Sequence, residues 1–233
     1  NKIKAFGCNT DFIKLNNGMS RINVKLKSNE ESEINGQGPS ISDQDLEELY
    51  RKLELLREGD ILVLAGSIPA TLPKNIYEII MERLSGKGIR FIVDATGELL
   101  LNVLKYKPFL IKPNHHELAE LFNATIENED DIVIYAKKLR EMGAQNVLIS
   151  RAGDGAIFVT EKDEIIKSDV PKGTLINSVG AGDSMVGGFI AGYLKNKSLE
   201  EAFKMGVATG SASAFSEGLA TKEKVYELLN QIL

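Results

Sequence analysis

The chain is 233 residues long, 43% hydrophobic and 26% charged, the balance of a folded globular protein large enough to bury a substantial core. A formal net charge of −5 and a pI near 5.3 argue against a general nucleic-acid binder. No apolar run reaches the length of a membrane span and no signal-peptide pattern opens the chain, so neither membrane nor export is expected.

In chain order, the single cysteine comes first. Cys8 cannot form an internal disulfide, which points to a reducing cytoplasm, and it is expected to be a small buried apolar residue. Arg21–Lys27 alternates polar and apolar residues as a half-exposed strand does, and Glu31–Asn35 is expected to pair back as a hairpin across Ser28-Asn29-Glu30. Asp43–Arg57 predicts an amphipathic helix capped by Ser42 or Asp43, and Ile61–Ala65 a buried parallel strand. Then come a helix over Pro73–Leu84, a strand over Ile89–Val93, a helix over Glu98–Leu104 and a short strand over Phe109–Ile111. Helices follow from about Glu117 and over Asp130–Met142, then a strand over Asn146–Ile149. Ala156–Thr160 and Glu164–Lys167 read as a hairpin across Lys162-Asp163, and the chain closes with helices near Met185–Leu194, Leu199–Phe215 and Lys222–Leu233. The apolar positions Ile132-Val133-Ile134 and Leu228-Leu229 are expected in the core. Strands alternating with helices imply an α/β fold, a mainly parallel sheet covered on both faces.

Ligands gather at the carboxyl ends of such strands. The polar and glycine-rich punctuation falls there: Gly66-Ser67, Asp94, Lys112-Pro113-Asn114, and Ser150-Arg151-Ala152-Gly153-Asp154-Gly155. Asp94 has an ordinary alternative as a cap for the helix after Gly97. Asn114 and Glu117 suit a hard cation that prefers oxygen ligands, and equally suit a capping box. His115 and His116, adjacent on a helix, make a poor metal pair. The Ser150–Gly155 segment is either a wrap for a nucleotide or a hairpin turn. Arg21 is either a clamp for a substrate phosphate or a surface arginine.

The most informative stretch is Asn177-Ser178-Val179-Gly180-Ala181-Gly182-Asp183-Ser184-Met185-Val186-Gly187-Gly188. Its glycine turn runs into a helix, where backbone amides and the helix dipole hold an anion. Asp183 at that turn is either an ordinary cap or a base that accepts a proton from an attacking hydroxyl. No Lys-Ser or Lys-Thr follows the glycines, so this is not a Walker A loop, and the Rossmann fingerprint is incomplete.

These residues resemble the ribokinase-like (PfkB) carbohydrate kinases. Asn177–Gly188 is similar to the family's carboxy-terminal signature, Lys112-Pro113-Asn114-x-x-Glu117 to a second hallmark and Ser150-x-x-Gly153-x-x-Ala156 to a third. Arg21–Lys25, Glu33–Pro39 and Gly66-Ser67-Ile68-Pro69 resemble the 1-phosphofructokinase branch, with tagatose-6-phosphate kinases as near relatives. The resemblance implies a ribokinase-like doubly wound sheet, one kinase domain over residues 1–233, with residues 20–36 part of a small β lid. It implies ATP- and Mg²⁺-dependent transfer to the 6-hydroxyl of fructose 1-phosphate. On that footing Asp183 is the base, and the amides of Gly180, Ala181 and Gly182 form the anion hole. Glu117 with Asn114 organises Mg²⁺, through water. Lys112, Asn114, Ser150, Arg151, Ala152, Gly153, Asp154, Gly155, Gly182, Asp183 and part of Ala208–Ser213 contact ATP; Arg21 and Ser67, with Asp183, meet the sugar phosphate. A homodimer through the lid is a further implication. Family members open with a strand bearing a sugar-contacting Asp that does not precede Asn1, so an amino-terminal portion is expected to be missing. The competing readings are a kinase for another hydroxylated substrate (tagatose 6-phosphate, fructose 6-phosphate or a nucleoside) and a non-catalytic nucleotide- or sugar-binding remnant.

Overall fold

The computed structural model describes residues 2–27 and 31–232, and the chain divides into two compact units. The first comprises the chain up to Asp60 together with Ser67–Ile89; the second comprises Ile61–Gly66 and Arg90–Leu233.

In the first unit a short helix, α1 (Lys2–Ala5), precedes strands β1 (Asn23–Lys27) and β2 (Glu31–Asn35), then helices α2 (Asp43–Leu53) and α3 (Ile76–Arg83). The two strands pair antiparallel, Val24 opposite Ile34, as the alternation predicts; the turn at residues 28–30 lies outside the described residues. The ladder ends at the Asn23–Asn35 pair, followed by one bond from the Gly36 amide to the Ile22 carbonyl at 3.2 Å, so Arg21 stands just before the strand. Ser42 caps α2 through a capping box with Asp45, whose amide donates to Ser42 Oγ at 3.2 Å. That helix stops at Leu53, short of Arg57, because the Arg57 amide donates to Asp60 Oδ2 at 2.7 Å and turns the chain. α3 starts at Ile76: Pro73 opens a preceding turn by accepting from the Ile76 amide at 3.0 Å. Cys8 is exposed, contrary to the expectation of burial. Its segment offers no cover, and its neighbours Phe6 and Phe12 are themselves exposed.

The second unit is a six-stranded sheet in the order β3 (Ile61–Ala65), β4 (Arg90–Asp94), β5 (Leu110–Ile111), β6 (Val147–Ser150), β7 (Ala156–Val159), β8 (Ile165–Ser168). β3 to β6 run parallel and β6 to β8 antiparallel. Between them lie α4 (Gly97–Leu101), α5 (His115–Phe122) and α6 (Glu129–Glu141), and after them α7 (Ala181–Asn196), α8 (Leu199–Ala214) and α9 (Lys222–Leu229). Leu110, Leu148 and Phe158 face α7 and α8, where they join Phe189 and Phe203 in the main core. Their alternating neighbours point the other way, toward the face covered by α5 and α6. β3 does not read out as a continuously buried strand: only Leu64 is buried and Val63 is exposed, because in the described sheet β3 pairs on one side alone, with β4. Ile134 is likewise exposed while Ile132 and Leu228 are buried.

Candidate active site

Because β3 to β6 are parallel, their carboxyl ends lie on one side of the sheet. Asp94 is the last residue of β4 and Ser150 the last of β6. The Lys112 amide donates to the Val93 carbonyl at 3.3 Å and the Ser150 amide to the Pro113 carbonyl at 3.2 Å. These bonds extend the sheet's register into the functional residues. Lys112 is buried, and its Nζ lies 3.2 Å from Asp94 Oδ1. A buried ammonium needs such a partner. Asp94 is therefore an ion-pair partner and not a helix cap; Thr96 holds the cap position of α4. Burial pushes the Asp94 carboxyl above its ordinary 3.8, with the Lys112 charge opposing the rise and the Asp183 charge adding to it.

Asp183 arrives from the other side of the sequence. Gly180, at φ +77°, makes the turn that only glycine adopts without strain, and α7 begins at once with Ala181. The helix thus starts a full turn before Met185, and Asp183 sits inside its first turn, exposed, instead of capping it. No side chain caps this helix start. The loop ahead of it is pinned: the Ile176 and Asn177 amides donate to the Ala214 carbonyl at 2.9 and 3.0 Å, and the Val179 amide to Asn177 Oδ1 at 3.2 Å. The Ala181 amide, expected in the anion hole, donates to the Ser178 carbonyl at 3.2 Å. The first-turn donors left for an anion are those of Gly182 and Asp183. A Cβ on Gly182 would stand 3.2 Å from Lys112 Nζ, so the bare backbone lets the ammonium reach the helix start.

Asn114 and Glu117 form a full capping box on α5: the Asn114 amide donates to Glu117 Oε2 at 2.8 Å and the Glu117 amide to Asn114 Oδ1 at 2.9 Å. The box itself uses Oε2 and leaves Oε1 outside it. The rings of His115 and His116 come together, centroids 3.9 Å apart, although adjacent helical positions diverge; both lie in the first turn of α5. The Ser150–Gly155 segment is the β6–β7 hairpin connection, with Ala152–Asp154 a short 3-10 turn.

A cavity of 440 Å³, within the range of small-molecule sites, opens between these pieces. Lys112, Asn114, Ser150 and Gly182 contribute its polar rim; Ala152, Gly153 and Gly155 form one wall; Met185, Val207 and Phe215 contribute apolar surface. From the Ala208–Ser213 segment Gly210 and Ser211 reach it, whereas Ala208 lies in a separate hydrophobic cluster. Arg151 and Asp154 are not among its walls, nor are Glu117, Gly180 and Asp183. Sequence reading missed Met185 and Phe215, which look like core positions of amphipathic helices until α7 and α8 are brought together. Arg21 and Ser67 belong to the first unit and are exposed; the Cβ of Arg21 lies 3.4 Å from the Cβ position of Gly38.

The chain matches the profile of the pfkB family carbohydrate kinases over residues 1–225. It belongs to that family. A relative from Bacillus subtilis (strain 168), a 1-phosphofructokinase, is 53% identical to it over 92% of this chain and 71% of the relative. A D-tagatose-1-phosphate kinase from Bacillus licheniformis is 35% identical over 96% of this chain and 73% of the relative. The crystal structure of Escherichia coli phosphofructokinase-2 in complex with substrates and products superposes with a TM-score of 0.83 at 29% identity, covering 90% of this chain and 70% of that one. This pfkB kinase therefore has the ribokinase-like sheet that its motifs resemble. Among the described residues no helix is long and apolar enough to cross a membrane.

Proposed function

We propose that this pfkB kinase transfers the terminal phosphoryl group of ATP to the 6-hydroxyl of fructose 1-phosphate, giving fructose 1,6-bisphosphate. The observation that carries the reading is the meeting of an uncapped helix start and the buried Lys112 ammonium beside one cavity, with exposed Asp183 next in the chain to Gly182 of its wall. Phosphoryl transfer needs positioning and charge neutralisation more than covalent chemistry. Asp183 accepts the proton of the attacking hydroxyl. The Gly182 and Asp183 amides, reinforced by the positive end of α7 and by Lys112, offset the charge that develops on the phosphoryl oxygens. The apolar walls take the base, and Ser150, Ala152, Gly153 and Gly155 take the ribose and phosphates. Arg21 and Ser67 hold the sugar phosphate.

Asn114 and Glu117 are oxygen donors of the kind Mg²⁺ takes. Among the described residues no group of three or more His, Cys, Asp or Glu could hold a metal. We assign Asn114 and Glu117 to an ion carried on nucleotide phosphates and reached through water. When bound, it supplies further neutralisation of the phosphate charge. We place this chemistry in the cytoplasm, in one kinase domain whose β1–β2 hairpin is the lid. Exposed Val24 and Ile34, cross-strand partners on that hairpin, support a homodimer through it.

The name of the Bacillus licheniformis relative favours a second reading, tagatose 1-phosphate, in place of the tagatose 6-phosphate that the motifs suggest. Both ketohexose 1-phosphates offer a free 6-hydroxyl. A coupled assay of ADP release by the purified protein decides: fructose 1-phosphate is expected to give a kcat/KM at least roughly tenfold above tagatose 1-phosphate and fructose 6-phosphate, a preference that one or two active-site contacts can supply. A higher value with either alternative overturns the assignment, and no turnover with any of them favours a non-catalytic binding remnant.

A further inference from the structure

The turn that walls the cavity is held by an arginine that is not itself part of the wall. Arg151 leaves the end of β6, where its amide donates to the Gly155 carbonyl at 2.8 Å. Its side chain is 12% exposed and is not part of the cavity wall. Nη1 pairs with Glu129 Oε1, and Nη2 donates to the Asp154 carbonyl. One guanidinium thus spans from the first turn of α6 to the far side of the 3-10 turn, a reach that its planar fork allows.

Both ends of that span are fixed. Glu129 opens α6 behind the Asn128–Asp131 capping box, and its second oxygen, Oε2, takes Lys167 Nζ of β8 at 2.7 Å. Gly155 is pressed so closely on β8 that a Cβ there would lie 2.0 Å from the Ser168 carbonyl oxygen. Between these anchors the backbone is strained: Ala152 holds φ +50°, a left-handed conformation uncommon for a residue with a side chain. Such a conformation persists only where its surroundings enforce it. The Arg151 fork is the enforcing contact that reaches both α6 and the turn.

We infer that Arg151 and Glu129 are positioning residues for the nucleotide: together they hold the Ala152–Gly155 wall in its binding conformation, and Arg151 does not itself meet the phosphates. The inference rests on the reading of the cavity as the ATP site. It assigns Glu129 a role that no motif marks and moves Arg151 from ligand to scaffold.

The Glu129→Gln variant separates the two roles of Arg151 by sign. If Arg151 is a scaffold, removing its carboxylate partner loosens the wall and weakens ATP binding. If it is a phosphate ligand held back by Glu129, freeing it tightens ATP binding. Calorimetric titration of the purified protein with ATP is expected to give a Kd raised roughly three- to tenfold in Glu129→Gln and in Arg151→Lys, the loss of one or two net hydrogen bonds. KM for fructose 1-phosphate and kcat at saturating ATP stay within about twofold, a split that general unfolding would not produce. Glu129 is on the surface, so its variant remains informative should Arg151→Lys fail to fold. Unchanged or tighter ATP binding in Glu129→Gln overturns the inference while leaving the cavity assignment standing. Absence of ATP binding by the unsubstituted protein overturns both.

Discussion

At the scale of single residues, Asp183 and Asp94 carry the same side chain to opposite ends. Asp183 lies exposed in the first turn of α7, open to an incoming hydroxyl. Replacing it with Asn keeps the shape and removes the proton acceptor. Steady-state kinetics of Asp183→Asn is expected to show kcat reduced by roughly 10²–10⁴ with ATP affinity within a few-fold; an unchanged kcat removes Asp183 from the role of base. Asp94 is instead held above its ordinary 3.8 mainly by burial, which outweighs the pull of Lys112. The folded state therefore binds its proton more tightly than the unfolded chain does. Its favourable contribution is fully present below 3.8 and is lost as pH rises through the raised value. Glu129 runs the other way: Lys167 and then Arg151 hold its carboxyl below the ordinary 4.5, so its contribution is present above 4.5 and lost as pH falls through the depressed value. Urea unfolding across acid pH checks this. The stability difference between the unsubstituted protein and Asp94→Asn should shrink with rising pH, and that against Glu129→Gln should grow. The residue types at both sites were legible in the sequence. The Asp94–Lys112 pair was not, because Asp94 ends β4 and Lys112 follows β5, and the two meet only when the sheet forms.

At the scale of elements, α7 and α8 meet along glycines contributed by both. A Cβ at Gly188 would lie 2.3 Å from Thr209 Oγ1 and 2.7 Å from the Met205 carbonyl oxygen; one at Gly206 would lie 2.9 Å from the Met185 carbonyl oxygen. The helices therefore approach backbone to backbone, which brings Met185 of α7 and Val207 of α8 to the same cavity. Gly188→Ala gains about 1 kcal/mol of helix propensity but overpacks a seam with no room, at a cost of about 1–3 kcal/mol; the backbone oxygen at 2.7 Å cannot yield, so net destabilisation is expected. Gly187, one position away, has nothing within 4 Å of its Cβ position, and Gly187→Ala should stabilise by up to about 1 kcal/mol. Denaturant midpoints of the two variants moving in opposite directions would bear out the seam; two shifts of the same sign would refute it. The sequence placed both helices by their apolar content, and the seam could not be seen in either one alone. The start of α7 was placed too late for a related reason. Gly-Ala-Gly-Asp looks like a loop by composition, yet a left-handed Gly180 turns the chain so sharply that the next residue is already helical.

At the scale of the whole molecule, the alternation of strands and helices in the sequence was enough to determine an α/β fold with a mainly parallel sheet. The reason is that a strand covered on both faces must be apolar throughout and must be followed by a crossover. Local chemistry likewise settled the β1–β2 and β7–β8 hairpins and the glycine turn, and narrowed the cap of α2 to Ser42 or Asp43, since each depends on residues within a few positions of one another. What only the tertiary structure decided were relations between distant segments. The exposure of Val63 depends on β3 having one partner in the described sheet, and the exposure of Cys8 on the lack of apolar cover around it. The apolar wall at Met185 and Phe215 depends on the α7–α8 seam. The turning of Arg151 toward Glu129 depends on where α6 begins relative to β6. Burial, ion pairing and cavity shape are properties of juxtaposed surfaces, and sequence spacing does not encode which surfaces will meet.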